Sequence, residues 1–130
     1  AERLADIQKE LAAMREEYRA KRQIVLDGLA GCPVLRLIEP QGAFYAFVDV
    51  RLTGLDSGEF ADRLLDEEHV AVVPGEAFGE EGRGFVRLSY AGDAGELREG
   101  VARLRAFAER VWNPITGHHT ATYHPMEVLA

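Results

Sequence analysis

Lysine is scarce in this 130-residue chain. Of its 15 basic residues only Lys9 and Lys21 are lysine, and the rest are arginine. Positive charge is also outnumbered, with 15 Lys and Arg against 22 Asp and Glu, a net charge of -7. That balance argues against nucleic acid or an anionic membrane as a partner, because both need clustered cations. There is one cysteine, Cys32, which cannot form an internal disulfide, so nothing points to secretion. Between Gly31 and Pro33 it reads as a small turn residue rather than a catalytic thiol. No apolar run approaches the roughly 20 residues of a membrane span. The chain opens on a charged, helix-like segment instead of a signal peptide. Cytoplasmic location is the expectation.

What is present fits one domain. Hydrophobic residues make up 47% and charged residues 28%, ordinary values for a globular protein. Residues 2 to 29 read as one long helix. Leu4, Ile7, Leu11, Met14 and Tyr18 fall at steps of three and four, a narrow apolar seam that continues through Val25. Gly28 and then Ala30-Gly31-Cys32-Pro33 are expected to stop it. Such a helix is about 40 Å long, more than the compact body behind it needs. Its first half is therefore expected to lie against something this chain lacks, with a homodimeric coiled coil as the competing reading.

Val34 to Ile38 is a short strand candidate, followed by a turn at Glu39-Pro40-Gln41-Gly42 and a buried strand from Ala43 to Val50. Asp56 with Glu59 forms a capping pair at the start of a helix whose inner face is Phe60, Leu64 and Leu65. That helix fades at Glu67-Glu68-His69. Val70 to Val73 reads as a strand, and a glycine-rich loop carrying Gly79, Gly82 and Gly84 follows. In the alternating run Phe85 to Tyr90, Val86, Leu88 and Tyr90 share one face, and Phe85, Arg87 and Ser89 the other. Asp93 with Glu96 opens a last helix, with Leu97, Val101, Leu104, Phe107, Ala108 and Val111 inside. The order helix, strand, strand, helix, strand, strand, helix predicts an α+β fold. A long N-terminal helix precedes a small, at least partly antiparallel sheet with helices packed on its face. After Trp112 a polar tail with no period is expected.

Few residues in this pattern carry chemistry on their own. The glycines of the 74 to 84 loop have neither the dinucleotide nor the P-loop spacing, and Glu76, Glu80 and Glu81 would repel phosphate. The loop reads as a flexible cover or a turn. His118, His119 and His124 lie in the tail without the fixed spacing a metal needs, so no metal is expected. His69 has no nucleophile near it in sequence. Asp49, at the end of a buried strand, is either a catalytic carboxylate or a structural cap, and the structural role is favoured. From periodicity alone, Arg87 is as readily a solvated surface residue as a functional one.

A resemblance changes the weight given to Arg87. The helix ending Tyr18-Arg19-Ala20-Lys21-Arg22, then Pro40-Gln41-Gly42-Ala43-Phe44-Tyr45, Val70-Ala71-Val72-Val73-Pro74-Gly75, Phe78-Gly79 and Val86-Arg87-Leu88-Ser89-Tyr90-Ala91 occur in that order. From about Arg15 to Arg110 the chain resembles the C-terminal, small domain of a class I/II, fold-type-I aminotransferase dependent on pyridoxal phosphate. The resemblance implies that Arg87 binds the α-carboxylate of the substrate, and that Gly42 and Phe44 lie near the substrate entrance. It implies an interdomain helix over 1–30 and a small domain over 31–112, with the polar tail over 113–130, read from its lack of period and expected to be flexible, beyond the resemblance. Amino acids and 2-oxo acids would be the substrates, and the full enzyme would be a homodimer.

The departures from the family are as informative. The lysine that holds the cofactor has no counterpart, since Lys9 and Lys21 both sit on the opening helix. The chain also begins without methionine. The expectation is a fragment whose missing large domain carries the cofactor site, inactive alone and with no pyridoxal phosphate bound to it. The alternative is a stand-alone interaction or regulatory module on the same scaffold.

Overall fold

The computed structural model describes residues 2–38, 45–89, 92–113 and 118–119. Gly42, Phe44, Tyr90 and His124 of the sequence reading lie outside them. Helix α1 spans Glu2–Leu29, β1 Arg36–Ile38, β2 Tyr45–Asp49, α2 Ser57–Glu68, β3 Val73–Pro74, β4 Phe85–Ser89 and α3 Ala94–Val111. The four strands form one antiparallel sheet in the order β1-β2-β4-β3.

Alternation divides the sheet into two faces. Ala46, Val48, Val86 and Leu88 are buried on the inner face, in one core with Val25 and Leu29 of α1, Phe60 and Leu64 of α2, and Leu104 and Phe107 of α3. Phe60 and Phe107 meet edge to face, with centroids 5.1 Å apart, and both are fully buried. The expected stripe of α3 is buried throughout. Leu65, by contrast, does not belong to the inner face of α2. It is 51% exposed, because Phe60 and Leu64 already fill the stripe one turn apart.

The helix ends are capped as their sequences dictate. The Asp56 carboxylate accepts from the Glu59 N–H at 2.9 Å, and Asp93 accepts from the Glu96 N–H at 3.3 Å. His69 closes α2 in the left-handed region at φ 59°, and the Val70 N–H turns back toward the Leu64 carbonyl. That hydrogen bond corrects the strand expected over Val70 to Val73. The chain leaves the cap before it can pair, and β3 holds only Val73 and Pro74 on the sheet edge, where proline is tolerated. β1 is likewise shorter than Val34 to Ile38. Its Arg36 pairs with Asp49, the last residue of β2, so residues 34 and 35 have no ladder partner.

Three arginines of α3 tie the layers together. Arg105 donates to the Gly28 and Ala30 carbonyls at the end of α1, and Arg103 donates to the Glu68 carbonyl at the end of α2. Arg110 pairs with both Glu67 and Glu68. The contacts of Arg103 and Arg105 satisfy carbonyls that a helix end leaves open, while Arg110 reaches side-chain carboxylates. Beyond α3, Trp112–Asn113 (β5) pairs antiparallel with His118–His119 (β6), so regular structure extends past the point where a featureless tail was expected. Trp112 leaves the helix with extended backbone, and its N–H still caps the Ala108 carbonyl.

Gly28 lies inside α1 and does not end it. A Cβ at this position would stand 2.4 Å from a methyl of Val101 on α3, so the glycine sets how closely the two helices approach. Gly28→Ala should therefore destabilise the fold by about 1–3 kcal/mol through overpacking, although alanine is the better helix former. Chemical denaturation checks this. Adding Val101→Ala should recover part of the loss, through coupling of the two positions.

Candidate functional site

The outer face of the sheet is where the strands leave side chains without helices above them. Ile38 pairs with Phe47, Phe47 with Arg87, and Arg87 with Val73, so the four residues form one row across β1, β2, β4 and β3. Directly paired residues of an antiparallel ladder project from the same face. Arg87 is half-buried there, as Val86 and Leu88 on either side of it turn inward.

Its guanidinium lies against two aromatic rings. The carbon at its centre is 4.2 Å from the centroid of Phe78 and 5.0 Å from that of Tyr45. Phe47 meets both rings edge to face, each at 6.1 Å. A guanidinium packed on ring faces keeps its N–H donors in its own plane, pointing outward at the edge. Among the described residues Arg87 makes no hydrogen bond or ion pair. A planar carboxylate meets such an edge through two parallel hydrogen bonds.

The neighbouring Arg51 shows the other possibility. It stacks on Phe85 at 5.2 Å and also forks onto Asp49, with N–H to oxygen distances of 3.0 and 2.8 Å. Asp49 accepts the Arg51 backbone N–H as well, at 3.0 Å. Burial alone would raise the Asp49 pKa. The hydrogen bonds from Arg51, with the charges of Arg51 and Arg36, outweigh burial and hold it below the ordinary carboxylate value. Its bonding capacity is directed to the turn that follows β2, so its role is structural.

The loop after β3 delivers Phe78. Gly75–Phe78 and Glu80–Gly82 are two 3₁₀ turns, and they meet through glycine. A Cβ on Gly75 would lie 2.1 Å from the Gly82 carbonyl oxygen, and one on Gly82 equally close to that of Gly75. The fully buried Ser57 hydroxyl donates to the Glu76 carboxylate and accepts the Gly84 N–H. Of the two expected readings, cover or turn, the geometry of this loop is that of a pinned turn. Sequence reasoning overlooked the part Phe78 plays. Its signal was an aromatic residue alone among the glycines and acids of the loop.

Other sequence candidates lie elsewhere. Lys21 is buried on α1 and paired with Glu17 at 2.7 Å, and Lys9 is exposed on the same helix, so neither belongs to the sheet that carries Arg87. His69 serves as a helix cap, and Cys32 is half-buried beside the core. Among the described residues no group of three His, Cys, Asp or Glu is placed to hold a metal ion, and no helix is long and apolar enough to cross a membrane.

An α+β body of this kind matches part of solved aminotransferases. An aromatic aminotransferase from Pyrococcus horikoshii superimposes with a TM-score of 0.73 at 41% identity, over 78% of this chain and 27% of that one. The Thermus thermophilus aspartate aminotransferase with maleate gives 0.68 at 37% identity, over 76% and 25%. The chain belongs to the aminotransferase class I and II family, whose model matches residues 1–104. The arginine–pyruvate transaminase AruH of Pseudomonas aeruginosa is 47% identical over 95 residues, 73% of this chain and 24% of that protein. The chain thus spans about a quarter of the length of the relatives it matches.

Because the Asp49 pKa is depressed in the folded state, its contribution is present above the unfolded value and is lost as pH falls through the folded one. Asp49→Asn should cost about 1–2 kcal/mol at neutral pH. The gap between the two proteins should close as the solution is acidified below about pH 4, measured by urea denaturation across pH.

Proposed function

We propose that this chain is the small domain of a pyridoxal-phosphate-dependent amino-acid aminotransferase, and that Arg87 binds the α-carboxylate of its substrates. The observation that carries the reading is a guanidinium held between Tyr45 and Phe78 with no anion against it among the described residues. Transamination takes an amino acid in and releases a 2-oxo acid, and both bear the same carboxylate. One fixed fork therefore serves both halves of the reaction. Its stacked rings hold the fork before the ligand arrives, so little conformational entropy is lost on binding. Residues 31–112 form this domain, 1–30 the interdomain helix and 113–130 a tail. Gly42 and Phe44, just before Tyr45 in sequence, would border the substrate entrance.

Pyridoxal phosphate supplies the electron sink for breaking the substrate Cα–H bond in the complete enzyme. The residues present here do not fit that group. Lys21 is committed to Glu17, Lys9 stands on an exposed helical turn, and the loop after β3 bears carboxylates where a phosphate would need donors. The rest of a longer polypeptide would hold it. That polypeptide, a homodimer when complete, would also cover the seam of Leu4, Ile7, Leu11 and Met14, which are 44–58% exposed. The substrates named for relatives differ, so the amino donor is not carried over from them.

In the longer enzyme, Arg87→Ala should lower kcat/KM at least about tenfold. Charge-assisted hydrogen bonds contribute about 1.5–3 kcal/mol each, and the clamp makes two. Arg87→Lys should also lose most of the efficiency, because an ammonium keeps the charge but not the fork. Steady-state kinetics with one amino donor measures both variants. The 130-residue chain mixed with pyridoxal phosphate should give no stable protein-bound chromophore and no turnover. A retained absorption band after gel filtration, with transamination, would overturn the assignment of the cofactor site to another part of the enzyme.

A further inference from the structure

We infer that the face carrying Arg87 also holds an apolar subsite that selects carboxylates with an aromatic or branched aliphatic side chain. This rests on the reading of Arg87 as the carboxylate clamp and goes beyond it to the class of substrate. A cavity of about 380 Å³ opens on the outer face, walled by Ile38, Phe47, Phe78 and Phe85 and bordered by the Gly75–Gly82 contact. Phe47 is the direct ladder partner of Arg87, and Phe78 is the ring on which its guanidinium rests. The clamp and the cavity therefore share two walls. A ligand whose carboxylate meets the guanidinium edge has its substituent within reach of the cavity.

Size and charge both narrow the ligand. An apolar cavity of about 150 Å³ already accepts a benzene ring, so this one has room for a phenyl or isobutyl group. The one acidic side chain lining it is Glu81, which makes no ion pair or hydrogen bond among the described residues. A second carboxylate on the ligand would be repelled there, so a dicarboxylic substrate is disfavoured.

The test is an NMR titration of the 130-residue chain, isotope-labelled, with four carboxylate probes: propanoate, 3-phenylpropanoate, succinate and 4-guanidinobutanoate. The expected result is that 3-phenylpropanoate binds about tenfold or more tighter than propanoate. Its shifts should concentrate at Ile38, Phe47 and Phe85. In Ile38→Trp, which fills the cavity from an exposed edge strand, the ratio between those two ligands should fall toward one. Equal binding of both, abolished by Arg87→Ala, would overturn the subsite while leaving the clamp standing. Preference for succinate or 4-guanidinobutanoate over 3-phenylpropanoate would likewise overturn the apolar assignment. Binding unaffected by Arg87→Ala, or absent up to tens of millimolar, would overturn the clamp and the subsite together.

Discussion

Everything on the outer face depends on the register between β2 and β4. Five residue pairs connect the two strands, and one of them sets Phe47 against Arg87. The pairs on either side, Ala46 with Leu88 and Val48 with Val86, point into the core. Strand side chains alternate with a period of two, so a slip of one residue would drive the guanidinium inward and expose valine. The buried pairs are thus what hold the arginine outside. Inward and outward faces are set by the same five pairs.

Two arginines on this face make an instructive contrast. Both stack on phenylalanine, Arg51 on Phe85 and Arg87 on Phe78. Arg51 has its carboxylate built in, two residues earlier in the chain, and its fork is filled. Arg87 has the aromatic support without the internal acid. An arginine that only tethered a loop would be expected to resemble the first. The second has, among the described residues, no hydrogen-bonding partner at its edge, which is what the proposed carboxylate clamp requires.

Much of this was legible in the sequence, for physical reasons that differ by element. The long helices and their caps were clear because apolar spacing at three and four, with Asp56 and Asp93 before it, has few other solutions. The faces of β4 followed from strict alternation. Leu65 was misassigned because spacing alone does not say how wide a stripe the neighbours leave room for. The strand at Val70 to Val73 was overextended because β-propensity is blind to an N–H already engaged by a helix cap. In the sequence Gly28 reads as a stop signal, and only the position of Val101 reveals it as a contact. The place of Arg87 on an outward face was readable. The rings that steady it were not, because Phe78 arrives from a loop whose shape rests on two glycines meeting across space.

One consequence concerns mechanics. The inner half of α1 is packed at Lys21, Val25 and Leu29, while the stretch from Leu4 to Met14 continues the helix as a rod with its apolar side chains exposed. With about 1.5 Å of rise per residue, Leu4 stands roughly 25 Å from Lys21. A tilt of about 5° at the clamped end would carry the tip about 2 Å sideways by that geometry. The helix is in effect a lever with its fulcrum against α3. A small repacking around Gly28 and Val101 would be read out, magnified, at the far end of the rod.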